Sequence, residues 1–249
     1  MLLPPLWERA MAPVSAFRKP SPPRNQLLAA MSAGDLALLQ PHLKPIAMAV
    51  FKDLEQPNRR IDTVYFMETG IASVVGIQPD QTKVEVGLIG PEGMSGIAVV
   101  LGGDQSPNST YIQVAGEGLR MPAKELRKAM DASKSLRSLL LNFVQVFMVQ
   151  TTQTAIANAR ARIDQRLARW ILMAHDRISD NTLPLKHEFL ALMLGVRRAG
   201  VTEALQSLKR QKLIDNGRNK IVVRDRKGIE RLARGSYGVP EKEYRRLIG

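Results

Sequence analysis

The sequence contains no cysteine. That excludes a disulfide framework, a thiolate nucleophile, a cysteine-ligated zinc site and an iron–sulfur cluster. Histidine is nearly as scarce: His42, His175 and His187 are spread too far along the chain to suggest a metal site. No apolar run reaches the roughly 18–20 residues of a membrane span. The longest candidate, Leu139 to Val149, is interrupted by Asn142 and Gln145. The opening MLLPPLWERAM puts prolines where a signal peptide needs an unbroken apolar stretch and has no basic residue ahead of it. No P-loop lysine motif is present. Gly93-Met-Ser95-Gly96-Ile97 approaches the Gly-x-Ser-x-Gly nucleophile elbow but has Ile97 where the last glycine belongs. The expectation is a soluble, cytoplasmic protein without membrane, metal or catalytic chemistry.

What the chain has in excess is positive charge, and that charge is concentrated. The 249 residues carry 36 Lys+Arg against 23 Asp+Glu, a formal net charge of +13. Residues 1–150 hold 15 basic and 13 acidic side chains, a net of +2. Residues 151–249 hold 21 and 10, a net of +11. A basic third on a near-neutral remainder suits a nucleic-acid-binding half, although charge alone also admits an anionic membrane, RNA or a solvated face with no partner. The length allows one large domain or two modest ones, and 45% hydrophobic residues suffice for real cores.

Hydrophobic periodicity divides the chain further. Residues 1–24 are proline-rich and aperiodic and read as a mobile arm. A short helical stretch follows from Asn25 to Leu39, with a second turn starting at Asp35 after Gly34, and Pro41 ends it. From about Ile46 to Pro122 the period is two. Thr63–Met67, Ile71–Ile77, Thr82–Ile89 and Thr110–Ala115 read as strands, punctuated at Gly70, Pro79-Asp80, Gly90-Pro91 and Gly116. Val84, Val86 and Leu88 alternate with Lys83, Glu85 and Gly87, which predicts one buried and one wet face. Short strands at this spacing suggest a small antiparallel sandwich or roll. Between Pro122 and Pro184 there is neither Gly nor Pro. Apolar residues from Leu136, Leu140 and Val144 to Leu167, Trp170 and Ala174 recur three or four apart, an amphipathic helix. A helix from about Asn142 to Ile178 would be on the order of 55 Å long. Such a stripe predicts a homodimer seam; the alternative is a long core helix, or two helices broken near Ala161.

Residues His187 to Gln206 carry the spacing of a helix-turn-helix. Ala191 is small where two helices approach, Gly195 lies where the turn needs a positive φ, and Val201 points back into the shared core. Phe189, Leu190, Leu194, Ala204, Leu205 and Leu208 complete that core. Leu213-Ile214 and Ile221–Val223 flank a turn with Asn216-Gly217 at its expected tip. Helix-turn-helix plus basic hairpin is a winged helix, so the partner expected is double-stranded DNA. The second helix, from about Arg198 to Arg210, would enter the major groove. Arg197 and Arg198 suit guanine contacts, with Thr202, Glu203 and Gln206 on the same outward face. Glu203 has two readings, acceptor for a cytosine amino group or partner of a neighbouring Arg. Lys186, Lys209, Arg218 and Lys220 read as phosphate contacts.

Taken together, these pieces resemble the Crp/Fnr family of bacterial transcription regulators. The likeness runs from Asn25 to Val223. It includes Val64-Tyr-Phe-Met-Glu-Thr-Gly70-Ile-Ala-Ser-Val-Val, the long helix, Gln165-Arg-Leu-Ala-Arg-Trp-Ile-Leu and Leu194-Gly-Val-Arg-Arg-Ala-Gly-Val-Thr-Glu-Ala. The resemblance implies an α+β protein. Its parts would be a cyclic-nucleotide-binding-like sensor roll over 25–134, a dimerising helix and hinge over 135–178, and a winged helix-turn-helix over 179–249. It also implies a homodimer, a palindromic operator, RNA polymerase as a further partner, and a signal that reorients the winged helices. Two departures matter. The family's cyclic-nucleotide binders carry a Gly-Glu pair and, about ten residues later, an Arg followed by Ser/Thr. This chain has Gly93-Met-Ser95-Gly96 and then Asn108-Ser109-Thr110, without the acid or the cation, so a cyclic nucleotide is not expected and the effector is open. Ser95, Gly96, Ser109 and Thr110, with Thr151 and Thr152 from the long helix, remain the candidate effector pocket. Ala199 and Glu203 replace the Glu and Arg of the family's best-known member, so its operator does not transfer. A non-specific DNA-coating protein is the alternative reading.

Overall fold

The computed structural model describes residues 23–80, 82–185, 187–217 and 219–249. Most of the expected N-terminal arm, together with Lys186 and Arg218, therefore lies outside the described residues. Of that arm, Arg24 is tied down, its guanidinium paired with Glu117 at 2.9 Å and its backbone N–H donated to Glu68.

The chain opens with two short helices, α1 (Gln26–Ala29) and α2 (Ala33–Leu39), rather than one stretch with a turn beginning at Asp35. The Ser32 hydroxyl caps α2 by accepting the Asp35 N–H at 3.1 Å, which places Gly34 and Asp35 inside the first turn.

Seven strands form the roll: β1 (Lys44–Met48), β2 (Asp53–Glu55), β3 (Thr63–Met67), β4 (Ile71–Ile77), β5 (Lys83–Ile89), β6 (Ser109–Val114) and β7 (Gly116–Pro122). They build two antiparallel sheets, ordered β1-β7-β3 and β2-β6-β4-β5. Met48, Leu54, Met67, Ala72, Val74, Ile89 and Ile112 form the core cluster of this sandwich. A one-turn helix, α3 (Ile97–Val100), interrupts the roll. Four strands follow the expected β-branched runs. β7 does not: Gly116, which reads as punctuation, is its first residue. Glycine is required there because a Cβ would fall 2.2 Å from the Thr69 carbonyl oxygen, and at Gly118 2.4 Å from that of Phe66.

Two helices, α4 (Ala123–Ala132) and α5 (Lys134–Arg160), close the roll, and α6 (Ile163–His175) follows. The single helix expected from Asn142 to Ile178 is thus two, broken at Ala161 and Arg162, whose ψ values of 147° and 161° are extended. No Gly or Pro causes the break. Gln165 does, its side-chain oxygen accepting the Arg162 backbone N–H at 3.0 Å and starting a new helix. α5 is about 40 Å long. By length and mean hydropathy alone it would cross a bilayer, which the sequence reading excluded; 33% of that apolar stretch is buried within the protein.

The C-terminal third adds β8 (Thr182–Leu183), α7 (His187–Leu194), α8 (Arg198–Arg210), β9 (Ile214–Gly217), β10 (Lys220–Val223), α9 (Arg226–Leu232) and α10 (Val239–Leu247). Its core merges with the roll: Ile71, Leu88 and Val114 belong to the same cluster as Trp170, Leu190, Val201 and Leu205. Of the expected wet face of β5 only Lys83 is exposed, while Glu85 and Gly87 are buried and the expected core residues Val84 and Val86 are half-buried, because α5 and α7 pack on the strand. Glu85 is 4% exposed, and Trp170 Nε1, from α6, donates to Glu85 Oε1 at 2.6 Å. From α5, the Gln150 carboxamide accepts the Leu88 N–H at 2.6 Å and donates to the Leu88 carbonyl at 3.2 Å.

Burial pushes Glu85 up to about 7, against opposing pulls from Ser73, Trp170, Arg169 and Arg177. The folded chain therefore holds a proton that the unfolded chain releases near pH 4.5, so stability falls as pH rises from about 4.5 to 7 and levels above it. Glu85→Gln keeps an acceptor for Trp170 and removes the titration. Thermal melts should show the variant more stable than wild type at pH 8, on the order of 3 kcal/mol, with little difference at pH 5. Equal melting temperatures at both pH values would contradict this.

Candidate nucleic-acid interface

The turn between α7 and α8 is built as the spacing predicts. Gly195 ends α7 with φ of 58°, a left-handed conformation that a Cβ would penalise. Around it the Val196 N–H reaches back to the Ala191 carbonyl at 3.0 Å and the Gly195 N–H to Leu192 at 3.1 Å, a Schellman closure. Sequence reasoning missed a further brace: the Arg166 guanidinium, on α6, donates to the Leu194 carbonyl. A cation at that end also complements the helix dipole. Ala191 and Val201 are buried between the helices, as expected.

One side of α8 is dry and the other wet. Val201, Ala204, Leu205 and Leu208 face the core. Arg198, Thr202, Glu203, Gln206 and Lys209 are exposed on the opposite arc, and Arg197, the N-cap residue, is exposed at its head. The first turn carries no acidic residue, so its backbone N–H groups form the positive end of the helix dipole beside Arg197 and Arg198. The Thr202 hydroxyl donates to the Arg198 carbonyl at 3.1 Å. Arg210 and Lys212, which the sequence reading passed over, extend the exposed basic face beyond Lys209.

The wing β9–β10 carries Lys220 exposed beside it. Its tip is not at Asn216-Gly217. Both lie in the ladder, Asn216 opposite Ile221 and Gly217 opposite Lys220, and beyond them Asn219 has φ of 59°. Asn tolerates that left-handed position, so the extra strand pairs are gained at little cost. Arg224 is paired with Asp215 at 2.6 Å and adds less to the field. An open cleft of about 550 Å³ separates Arg197 and Arg198 from Thr82, Lys83 and Val84 on the β4–β5 hairpin. Only tertiary structure brings this roll lysine to the head of α8.

The six residues expected to hold an effector do not form one cradle. The Ser95 hydroxyl accepts the Tyr65 N–H at 3.1 Å and is a strut to β3. Thr151 and Thr152 donate to the carbonyls of Phe147 and Met148, at 3.0 and 2.9 Å. Thr110 does line a cavity of about 210 Å³, with Asn108, Ile97 and Phe147. On its wall stands Glu55, whose carboxylate takes the Gly96 N–H at 2.6 Å and the Thr110 hydroxyl. Burial raises its pKa, partly offset by those two bonds. Both donors are thus held by the chain's own acid. Among the described residues no group of three or more His, Asp or Glu could hold a metal ion.

Comparison with known proteins follows the same outline. Residues 165–232 match the Crp-like helix-turn-helix domain. The global nitrogen regulator of Nostoc sp. is 25% identical over 178 residues, which span 67% of this chain and 79% of that protein. Among solved structures, FixK2 from Bradyrhizobium japonicum is 16% identical with a TM-score of 0.65, covering 76% of this chain and 96% of the other. A CRP-family transcriptional regulator from Thermus thermophilus is 19% identical with a TM-score of 0.63, covering 78% and 98%. At such identities the two structures establish the fold.

Gly195→Ala should destabilise the protein by about 1 kcal/mol through its left-handed φ. A urea midpoint unchanged from wild type would show that the turn relaxes to another conformation.

Proposed function

We propose that this chain, which carries a Crp-like helix-turn-helix domain on the fold of the Crp/Fnr regulators, is a transcriptional regulator of that type and reads a palindromic operator as a homodimer. The observation that carries this reading is the exposed arc of α8, with a cationic head, base-reading side chains and flanking Lys209 and Lys220. Arg197 and Arg198 at the head suit guanine edges, and Thr202, Glu203 and Gln206 follow along the groove. Lys209 and Lys220 hold phosphates and set register; Lys186 and Arg218 join them in this proposal.

The dimer is supported by an unpartnered stripe on α5. Leu141, Gln145, Met148, Thr152, Ala155 and Ala159 are all exposed and step by four, three, four, three and four. Leu141 is 42% and Met148 57% exposed. That is the spacing of a two-stranded seam, and apolar side chains held in water there gain by pairing with a second copy. α10 packs on the flank of the same helix, where the Asn142 amide donates to the Leu247 carbonyl at 3.3 Å, and leaves the stripe uncovered. Two such protomers would set their recognition helices about 34 Å apart, one turn of the duplex. In this reading the protein works in the cytoplasm alongside RNA polymerase, binds rather than catalyses, and divides into a sensor roll (25–134), dimerising segment (135–178) and DNA-binding domain (179–249).

Fluorescence anisotropy against a palindrome selected from random DNA and against its scrambled form tests the reading. Specific binding should exceed non-specific by about 10³ or more. Arg198→Ala should cost about 1–3 kcal/mol on the selected site. Lys209→Ala should weaken both DNAs alike and flatten the salt dependence, and Met148→Glu should weaken dimer and operator binding together. Equal affinity for both DNAs would instead favour a DNA-coating protein.

The roll, in this proposal, does not take a cyclic nucleotide, because Glu55 stands against the phosphodiester. Calorimetric titration with cAMP or cGMP to about 1 mM should give no binding heat; a micromolar Kd for either would overturn it.

A further inference from the structure

A second cavity, of about 460 Å³, lies where the roll, α5, the end of α6 and the C-terminal segment meet. Its volume falls within the range of small-molecule sites and far exceeds the room needed by one water. The roof is α10, which follows the matched helix-turn-helix domain and is fastened on several sides. Tyr237 Oη donates to Asp176 at 2.6 Å, Arg226 pairs with Asp176 at 2.7 Å, and Arg169 donates to the Ser236 carbonyl at 2.9 Å. α10 packs along the flank of α5, where the Asn142 amide donates to the Leu247 carbonyl, and the cavity opens beside that contact.

The walls are of two kinds. Phe143, Val146 and Phe147 make an apolar floor on α5. The polar side is almost wholly self-satisfied. Arg177 pairs with Glu92 at 2.7 Å and also donates to the Met173 carbonyl at 2.7 Å, and its side chain is 8% exposed. The Gln150 carboxamide is committed to Leu88. What remains is the Tyr244 hydroxyl, buried and without a hydrogen-bond partner among the described residues. Burial and the neighbouring Glu92 push its pKa up, so it stays a phenol with a proton to donate. A buried O–H without an acceptor is costly, and a ligand atom is one way to supply it.

We propose that this cavity binds an uncharged, largely apolar small molecule carrying one hydrogen-bond acceptor, seated on Phe143 and Phe147 with its acceptor at the Tyr244 hydroxyl. An acid is disfavoured at the hydroxyl itself because Glu92 adjoins it and Arg177 is already neutralised; the cation through which an anion would compete is Arg245, exposed at the edge of the lining, and benzoate tests that competition. Because the walls come from the roll, the long helix and the segment after the DNA-reading domain, an occupant favours the arrangement in which they pack together. That last step rests on the regulatory reading above; the binding itself does not, and it is measured without DNA.

Acetophenone and ethylbenzene are matched probes, alike in size and differing in a carbonyl. Titration of the full-length protein, followed by ligand-observed NMR, should show acetophenone binding about 5–10-fold more tightly than ethylbenzene. In Tyr244→Phe that preference should vanish while ethylbenzene affinity is retained. Val146→Trp, which fills the floor, should abolish both, with circular dichroism confirming the fold. Binding of neither probe to wild type, or a carbonyl preference that survives Tyr244→Phe, would overturn the proposal. Benzoate binding more tightly than acetophenone would show that the ligand class is anionic and overturn it equally.

Discussion

The burial of the outer face of β5 is the constraint from which the arrangement of the molecule follows. A strand at the margin of a four-stranded sheet ordinarily turns one side to water. Here α5 and α7 pack against it and Trp170 reaches it from α6, and the two halves share a single apolar cluster that runs from Ile71 and Leu88 to Leu205. The hydrogen bond from Trp170 to Glu85 sits inside that contact. Because α7 packs directly on β5, and α6 packs on α8 and braces the turn before it through Arg166, the reading helix is tied to the roll through these contacts. The Glu85 carboxylate makes the packing on β5 conditional: its second oxygen has no partner among the described residues, so the contact is comfortable only while the group holds its proton.

Charge is deployed in opposite senses in the two halves. On α8 the acids are held back from the first turn and cations gather at its head. In the roll, the cavity that a phosphate-bearing ligand would enter has Glu55 on its wall. There the Gly96 N–H and the Thr110 hydroxyl are taken up by that acid, so the roll offers them to its own side chain while α8 turns its cations outward.

Much of this was legible in the sequence. Thr63–Met67 and Ile71–Ile77 are strands to the residue, since β-branched runs bounded by Gly leave few alternatives. The small-glycine-aliphatic spacing of Ala191, Gly195 and Val201 located the turn, and three- and four-residue steps located the wet face of α8. What stayed hidden depended on contacts distant in sequence. β7 is held by strands on both sides rather than by its own propensity. The break near Ala161 is the alternative to a single helix; no Gly or Pro announces it and it rests on one glutamine, so periodicity alone cannot choose between the two. Glu85 reads as solvent-facing until α5 and α7 pack on its strand and Trp170 reaches it, and the cleft at Lys83 and the cavity under α10 each need elements more than 90 residues apart.

The Gln150 carboxamide, bonded to both backbone groups of Leu88, imitates a neighbouring strand for the length of one residue. The margin of a sheet left open invites strands from other molecules to add to it, the usual beginning of aggregation. By stationing an amide there, the long helix plugs the place where such recruitment would start. The long helix thereby guards the roll against gathering in disorder.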